Sequence, residues 1–256
     1  MAERTRVAYR RRSRALPLLA ITLIVLLGLG VVADRVAANA AAERIRTELV
    51  AELNERGVRP ASTNVTVGGF PFLFQVADGH YEKITIDMRE VDISGTTLPS
   101  LLVVAHDVDA DTADLIDGKA TVTAERVTGT AVIDWTTLAN LVDFARLGLS
   151  GVTFGPSDSG LQVRGTANLA GLQVPMSATA DLSVDAGVVQ IRVRNARVED
   201  GSLSGPAQTQ LDALAQRLSV DIRIPPLPFR LSIDDVRPED PGLSITATAR
   251  AVPLVS

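Results

Sequence analysis

The sequence predicts an α+β fold in which a long curved antiparallel sheet wraps around helices, preceded by one transmembrane helix. Three observations predict it. Residues 15–33 carry no charge, residues 35–57 repeat apolar side chains at three- and four-residue intervals, and beyond Pro60 apolar and polar side chains alternate. The first pattern is typical of a membrane span, the second of an amphipathic helix and the third of strands with one dry face.

Charge divides the 256-residue chain into three parts. Residues 1–14 hold six arginines and one acid, residues 15–33 are neutral, and residues 34–256 hold 19 basic and 29 acidic residues. Positive flanks stay in the cytoplasm, so we predict a cytoplasmic head at 1–14, an anchor in the cell membrane at 15–33 and an extracytoplasmic domain at 34–256. The acidic body would repel phosphate backbones, which excludes an electrostatic nucleic-acid binder.

The neutral segment is long enough to cross a bilayer once. Its 19 residues span roughly 28 Å as a helix. The competing interpretation is a cleaved signal peptide, with Ala38-Asn39-Ala40 as the cleavage site. We favour an uncleaved anchor because the amphipathic helix at 35–57 continues through that site. Either interpretation places the body outside the cytoplasm.

The alternating segments predict the strands of the sheet. Two parity slips, at Glu125-Arg126 and at Asn195-Ala196, predict β-bulges, and Pro175 indicates an edge or a bend. Two short helices are predicted to interrupt the strands, at 136–147 and 206–218. The strands themselves are expected within 84–89, 120–134, 161–169, 172–184, 188–199 and 243–251.

The dry face of these strands is built from small aliphatic residues. Aromatic residues make up only 4% of the chain, whereas ordinary cores use them for much of their buried area. Such a face suits either close packing against a helix or a smooth groove for an aliphatic chain. Composition alone favours packing, and both interpretations stay open at this point.

Two segments rich in Phe and Pro stand apart. Residues 67–74 predict a sharp turn into a short strand, with Phe70, Phe72 and Phe74 on one face as a core cluster or as an apolar lip that touches lipid. Residues 224–231 are stiff and extended, which suits a rigid crossover or the rim of a pocket. The side chains of interest in the second segment are Leu227, Phe229 and Arg230.

The residues of a catalytic or metal site are scarce. The chain has no cysteine and only two histidines, and it contains no nucleophile elbow, phosphate-binding loop or zinc-binding helix motif. The acidic run at 107–111 begins like a calcium loop, but Thr112 and Gly118 stand where glycine and glutamate are needed. We therefore predict that the protein is not an enzyme and has no cofactor and no metal.

The chain resembles the LmeA-like family of actinobacterial cell-envelope proteins. The resemblance rests on the single N-terminal apolar segment, Gly69-Phe70-Pro71-Phe72-Leu73, Gly79-His80-Tyr81, and Ile224-Pro225-Pro226-Leu227-Pro228-Phe229 before the closing strands, and it covers nearly all of 34–256. It implies a phospholipid-binding protein similar to tubular lipid-binding folds, with a member linked to mannan elongation on phosphatidylinositol-anchored glycolipids. A phosphatidylinositol-type lipid is therefore the implied partner, and no protein partner is indicated.

The preferred hypothesis is a membrane-anchored protein that binds a phospholipid or lipid-linked glycan in an apolar groove, accessory to envelope glycolipid synthesis or transport. Its lipid contacts would be the aromatic and aliphatic residues of the two segments, with Arg192, Arg194 or Arg230 for an anionic head group. The alternative is a structural module whose helices fill the sheet. An enzyme acting on glycolipids is a third hypothesis, for which the sequence offers only the separate acids Asp143, Asp158 and Asp200.

Overall fold

The computed structural model describes residues 15–93, 95–110, 122–140, 144–158, 160–169, 172–185, 188–199, 209, 213, 220–223 and 231–255. The predicted α+β class is confirmed, and the strands divide between two antiparallel sheets. The helices are α1 (Ala15–Glu55), α2 (Phe72–Asp78) and α3 (Trp135–Asn140), with a 3-10 turn at Phe144–Leu147. The strands are β1 (Val58–Val67), β2 (His80–Ile93), β3 (Thr96–Ala110), β4 (Val122–Asp134), β5 (Leu149–Ser157), β6 (Gly160–Leu169), β7 (Leu172–Asp185), β8 (Val188–Val198), β9 (Val220–Arg223), β10 (Ser232–Pro238) and β11 (Gly242–Val255).

Helix α1 joins the predicted anchor and the predicted amphipathic helix without a break. From Thr22 to Ala33 the helix is exposed on all sides, with large apolar residues from Leu23 to Val32 between 46% and 68% exposed. Its C-terminal half packs against β1 through Ala38 and Ala42, whose small side chains let the helix approach the strand closely. Only this second half therefore belongs to the packed body. That the anchor is not cleaved stays a prediction.

The first sheet has six strands in the order β1-β2-β3-β4-β11-β10. The position of α1 distinguishes the two ends of this sheet. Strand β1 starts after the C-terminal end of α1 and runs back along the helix towards Ala38 and Ala42. His80 and Ala110 therefore lie at the end of the sheet near the neutral segment, while Ile93 and Asp134 lie at the opposite end. We call these the proximal and the distal end.

The two predicted parity slips differ in the structure. Arg194 and Arg197 pair with Thr179 and Ser177, so two residues of β8 oppose one of β7, and Asn195 has a positive φ of 52°. In the six-stranded sheet, the buried residues Ala124 and Val127 lie three apart, where regular alternation would place them two apart. The bulge predicted in β8 is therefore confirmed. In β4 the predicted bulge is absent: the register against β3 and β11 is the same before and after Glu125, and the slip shows only in burial.

The second sheet has five strands in the order β5-β6-β7-β8-β9 and meets the first sheet at its distal half. Ile233, Val236 and Leu243 of the first sheet pack with Leu182 and Ile191 of the second. The predicted helix at 136–147 is present as α3 and the 3-10 turn. The predicted helix at 206–218 lies outside the described residues except for two helical positions, Thr209 and Ala213.

Candidate functional site

One face of the six-stranded sheet carries an unbroken row of aliphatic side chains across β2, β3, β4 and β11. Strand register places Ile86 opposite Val103 and Val103 opposite Gly129, and the next row continues from Leu101 to Ala131. Directly paired residues in a sheet point to the same face. We call this surface the apolar floor and define it by six residues: Ile86, Leu101, Val103, Gly129, Ala131 and Ile245.

The apolar floor lies between packed regions. On the β1 side, α1 and α2 cover Val65 and Val67, and on the β10 side the second sheet covers Ile233 and Val236. The six residues of the floor are partly buried, whereas Met88 and Ala247, which end its two rows, and the flanking residues are nearly inaccessible to water. The floor is therefore a half-open aliphatic surface between two closed ones.

Gly129 lies in the middle of the floor and shows the free space above it. A Cβ atom added at Gly129 would meet no atom of the described residues within 4 Å. Its same-face neighbours are Val103, Val127, Ala131 and Ala247, which all carry a side chain, so the glycine leaves a shallow depression. This arrangement suits the acyl chain of a lipid, which needs apolar contact and no hydrogen bonds.

The structure corrects the interpretation of residues 67–74. The turn predicted there is present, but it leads into the helix α2 and not into a strand. Phe70, Phe72 and Phe74 consequently do not share a face: Phe72 is 4% exposed in the core, while Phe70 and Phe74 are 60% and 69% exposed. The sequence FLFQVAD is too short for its periodicity to separate helix from strand.

Three large apolar side chains remain exposed around this turn. They are Phe70, Leu73 and Phe74, which we call the lip. The backbone conformation of the turn depends on Gly69, which has a φ of +87°, and a side chain there would collide with the amide of Gln75. The amide nitrogen of Gly68 also donates a hydrogen bond of 2.7 Å to the carbonyl oxygen of Lys83. The lip is therefore held in a defined position on β2.

Asp34 and Arg35 of α1 hold the lip from the other side. The amide nitrogen of Leu73 donates to Asp34 Oδ1 at 2.9 Å, and Arg35 Nη2 donates to Asp34 Oδ2 and to the carbonyl oxygen of Gly69, both at 2.8 Å. The Arg35 guanidinium lies 5.2 Å from the centre of the Phe70 ring, within the range of a cation–π interaction. Asp34 thus caps α2, a helix 38 residues later in the chain.

Asp34 is 3% exposed, yet it stays ionised because its hydrogen bonds favour the carboxylate. Burial raises the pKa of Asp34, but the backbone amides of Leu73 and Phe72 and the side chain of Arg35 outweigh burial and hold that pKa below its ordinary value. A charged group at this position is therefore fully engaged within the protein.

Of the remaining residues predicted to contact lipid, the structure describes only Arg192 and Arg194. Leu227, Phe229 and Arg230 lie outside the described residues. Leu231, which follows them, packs against the apolar cluster on the β10 side of the floor and against the cluster at the proximal end of β3, β4 and β11. Arg192 and Arg194 alternate with Ile191 and therefore lie on the outer face of the second sheet, where Arg194 forms a 2.7 Å ion pair with Asp181. Neither arginine faces the floor.

Sequence reasoning missed three residues of this region. Asp34 and Arg35 are the first charges after the neutral segment, a position that could have drawn attention, but their partners are distant in sequence. Gly129 interrupts an aliphatic strand, which is a known signal of close approach or of missing side-chain volume.

The acids Asp107 and Asp109 of the incomplete calcium pattern lie beside His80.

A comparison with known protein families identifies the family of the chain. The LmeA-like phospholipid-binding family matches residues 32–248. The chain belongs to this family. The matched region includes Asp34, the lip and the apolar floor but excludes most of the neutral segment. No curated protein and no solved structure matches the chain.

Proposed function

We propose that this LmeA-like protein is anchored in the cell membrane and binds a phospholipid or a lipid-linked glycan on its apolar floor, outside the cytoplasm. The half-open aliphatic surface around Gly129 is the observation that carries the proposal. The phospholipid-binding family supports a lipid partner. Helix α1 is long and apolar enough to cross a membrane, which supports the anchor.

The basic head supports the proposed orientation. Six arginines precede the neutral segment, and positive flanks are retained in the cytoplasm. The domain from Asp34 onward would then face outward. Its role in this proposal is that of an accessory in glycolipid synthesis or transport, without a catalytic step, and the lipid would be bound through its acyl chain.

Acyl burial supplies the binding free energy in this mechanism. Each CH₂ group removed from water contributes about 0.8 kcal/mol, and the floor offers contact without polar groups that would need partners. Leu227 and Phe229 remain proposed contacts of the acyl chain, and Arg230 a proposed contact of an anionic head group.

Filling the depression at Gly129 tests the floor directly. In Gly129→Leu, a side chain of four carbons would occupy the space of about three acyl methylenes, which lowers affinity by about 2–3 kcal/mol or roughly 100-fold. Gly129 does not have a positive φ, so leucine suits the strand. The expected result is a folded protein that loses its bound phospholipid.

Gly155→Leu is the matched control. Gly155 also lies in a strand, has free space for a Cβ atom among the described residues, and alternates with Phe154 so that it faces away from the interior. Native mass spectrometry of the full-length chain in detergent would compare the lipid retained by both variants and the wild type. Lipid around the membrane helix is common to all three, so only the floor can produce a difference.

Equal lipid retention in all three proteins would reject lipid binding on the floor. It would favour the structural hypothesis, in which the sheet serves to hold other envelope components. Loss of lipid in Gly129→Leu alone supports the proposal, and fragmentation of the lipid-bound wild-type ion would then identify the lipid.

A further inference from the structure

The lip and the end of the neutral segment of α1 together present an exposed apolar surface. Leu27 and Val31, which precede Asp34 by two turns and one turn on the same side of α1, are 63% and 46% exposed, and the three residues of the lip are 50% to 69% exposed. The hydrogen bond from the amide of Leu73 to Asp34 places the lip beside the first residue after the neutral segment. No described element covers either part of this surface.

From this geometry we infer that the lip inserts into the outer leaflet of the membrane, next to the point where α1 leaves it. The inference rests on the proposed membrane anchor but is independent of the ligand on the floor. A helix that spans 15–33 places Asp34 at the boundary between hydrocarbon and head groups. Because Leu73 is bonded to Asp34, its side chain and those of Phe70 and Phe74 lie at the same depth.

The polar groups in this region fit that depth. A charge near hydrocarbon is tolerated when it has partners within the protein. Asp34 accepts hydrogen bonds from the amide of Leu73 and from Arg35, and it is buried from solvent. Arg35 in turn donates to Gly69 and lies over the Phe70 ring, with its side chain 43% exposed at the level of the head groups.

The net negative charge of the domain also limits the kind of membrane contact. The domain carries ten more acids than bases, so anionic lipid does not attract it at long range. The anchor supplies proximity, and the lip supplies apolar contact within the leaflet. Insertion should therefore occur in vesicles of phosphatidylcholine without any anionic lipid, a composition that a basic membrane-binding surface would not accept.

Asp34 and Arg35 act in this inference as positioning residues. They join α1 to the turn at Gly69 and to the start of α2, so the tilt of the domain on its anchor is fixed. Without these bonds the lip would still be apolar, but it would no longer be held at one depth.

The chain has no cysteine, so a single introduced cysteine is the only site at which a nitroxide label attaches. Labels at Leu73→Cys and Phe74→Cys are placed in the full-length chain reconstituted in phosphatidylcholine vesicles. Ile93→Cys is the control, since it is also an exposed apolar residue but lies at the distal end of β2. Thirteen residues of strand separate it from the proximal end, roughly 40 Å.

Collision rates with oxygen and with a water-soluble nickel chelate report the depth of each label. The expected result is a several-fold higher ratio of oxygen to nickel collisions at 73 and 74 than at 93. Ratios equal to that of residue 93 would overturn insertion. Protection from both reagents at 73 and 74 would also overturn it, because a protein partner would then cover the lip.

The positioning role is tested in the same vesicles with the label at residue 74. Asp34→Ala removes the acceptor for the Leu73 amide and should increase label mobility and broaden its depth, while Asp34→Asn keeps an acceptor and should change both less. Unchanged spectra in Asp34→Ala would reject the positioning role. Lipid retention in the Gly129 variants is a separate measurement, so the floor and the lip can fail independently.

Discussion

The proximal end of the six-stranded sheet exposes two aromatic side chains beside a buried one, whereas the described aromatic residues at the distal end are all partly buried. At the proximal end, Phe70 and Phe74 are mostly exposed. At the distal end, the ring of Phe154 lies 6.5 Å from Trp135 and 5.8 Å from Phe144, and all three are partly buried between the sheets. Exposed apolar patches are typical of contact surfaces, so the difference supports the membrane contact that we infer for the proximal end.

The two ends also cap their helices differently. At the distal end, Asp134 accepts the amide of Thr137, three residues later, which is local N-capping of α3. At the proximal end, the acceptor for the Leu73 amide is Asp34, 39 residues away on α1. Local caps form with the helix itself, whereas the remote cap forms only when α1 and α2 are docked. The proximal end therefore depends more on tertiary contacts.

Phe72→Ala should produce the largest loss of stability. Phe72 is 4% exposed and packs against Ala38, Val65 and Tyr81. Removal of a buried phenyl ring costs about 3 kcal/mol. Thermal unfolding of the full-length chain, followed by circular dichroism in detergent, should show a clearly lower midpoint.

Phe74→Ala is the matched control for Phe72→Ala. It removes the same ring from a position 69% exposed, in the same helix, and should change stability by less than about 0.5 kcal/mol. Similar losses in both variants would contradict the division between a buried and an exposed aromatic residue at the proximal end.

Phe72 also shows where sequence reasoning succeeds and where it stops. The strands with clear alternation and the bulge at Asn195 were predictable, because both depend on neighbouring residues. The helix α2 was not, because its start is stabilised by Asp34 from a distant part of the chain. The sequence predicted that the floor consists of small aliphatic residues. Its exposure depends on how far α1 and the second sheet extend over it, which no local sequence pattern encodes.

Asp134→Ala should have an intermediate effect at the distal end. It removes the acceptors for both the amide and the hydroxyl of Thr137, each at 2.8 Å. Loss of such a cap costs about 1 kcal/mol. The variant should unfold at a lower urea concentration, and Asp134→Asn, which keeps one acceptor oxygen, should lose less.

The pH dependence of this cap has a definite sign. The hydrogen bond from the Thr137 amide, partly opposed by burial, holds the pKa of Asp134 below its ordinary value. Its stabilisation is therefore present above the unfolded pKa and is lost as the pH falls through the folded pKa. A difference between wild type and Asp134→Ala that persisted at the lowest pH would contradict this assignment.

His80 should give the smallest effect, at the proximal end. Its Nδ1 lies 2.7 Å from Asp109 Oδ1 and its Nε2 lies 3.8 Å from Asp107. The hydrogen bond to Asp109, with the charges of Asp109, Asp107 and Asp78, raises the pKa of His80 above its ordinary value despite some desolvation. His80 is half exposed, and exposed ion pairs contribute less than about 1 kcal/mol.

The sign of the His80 contribution is opposite to that of Asp134. A raised folded pKa means that the stabilisation is complete below the unfolded pKa, about 6.5, and is lost as the pH rises through the folded value. The stability of the wild type should therefore fall slightly from pH 6 to pH 8 relative to Asp109→Asn, measured by urea unfolding. A parallel pH response in both proteins would show that this ion pair adds nothing to the stability of the β2–β3 pairing at the proximal end, which the backbone ladder would then hold without it.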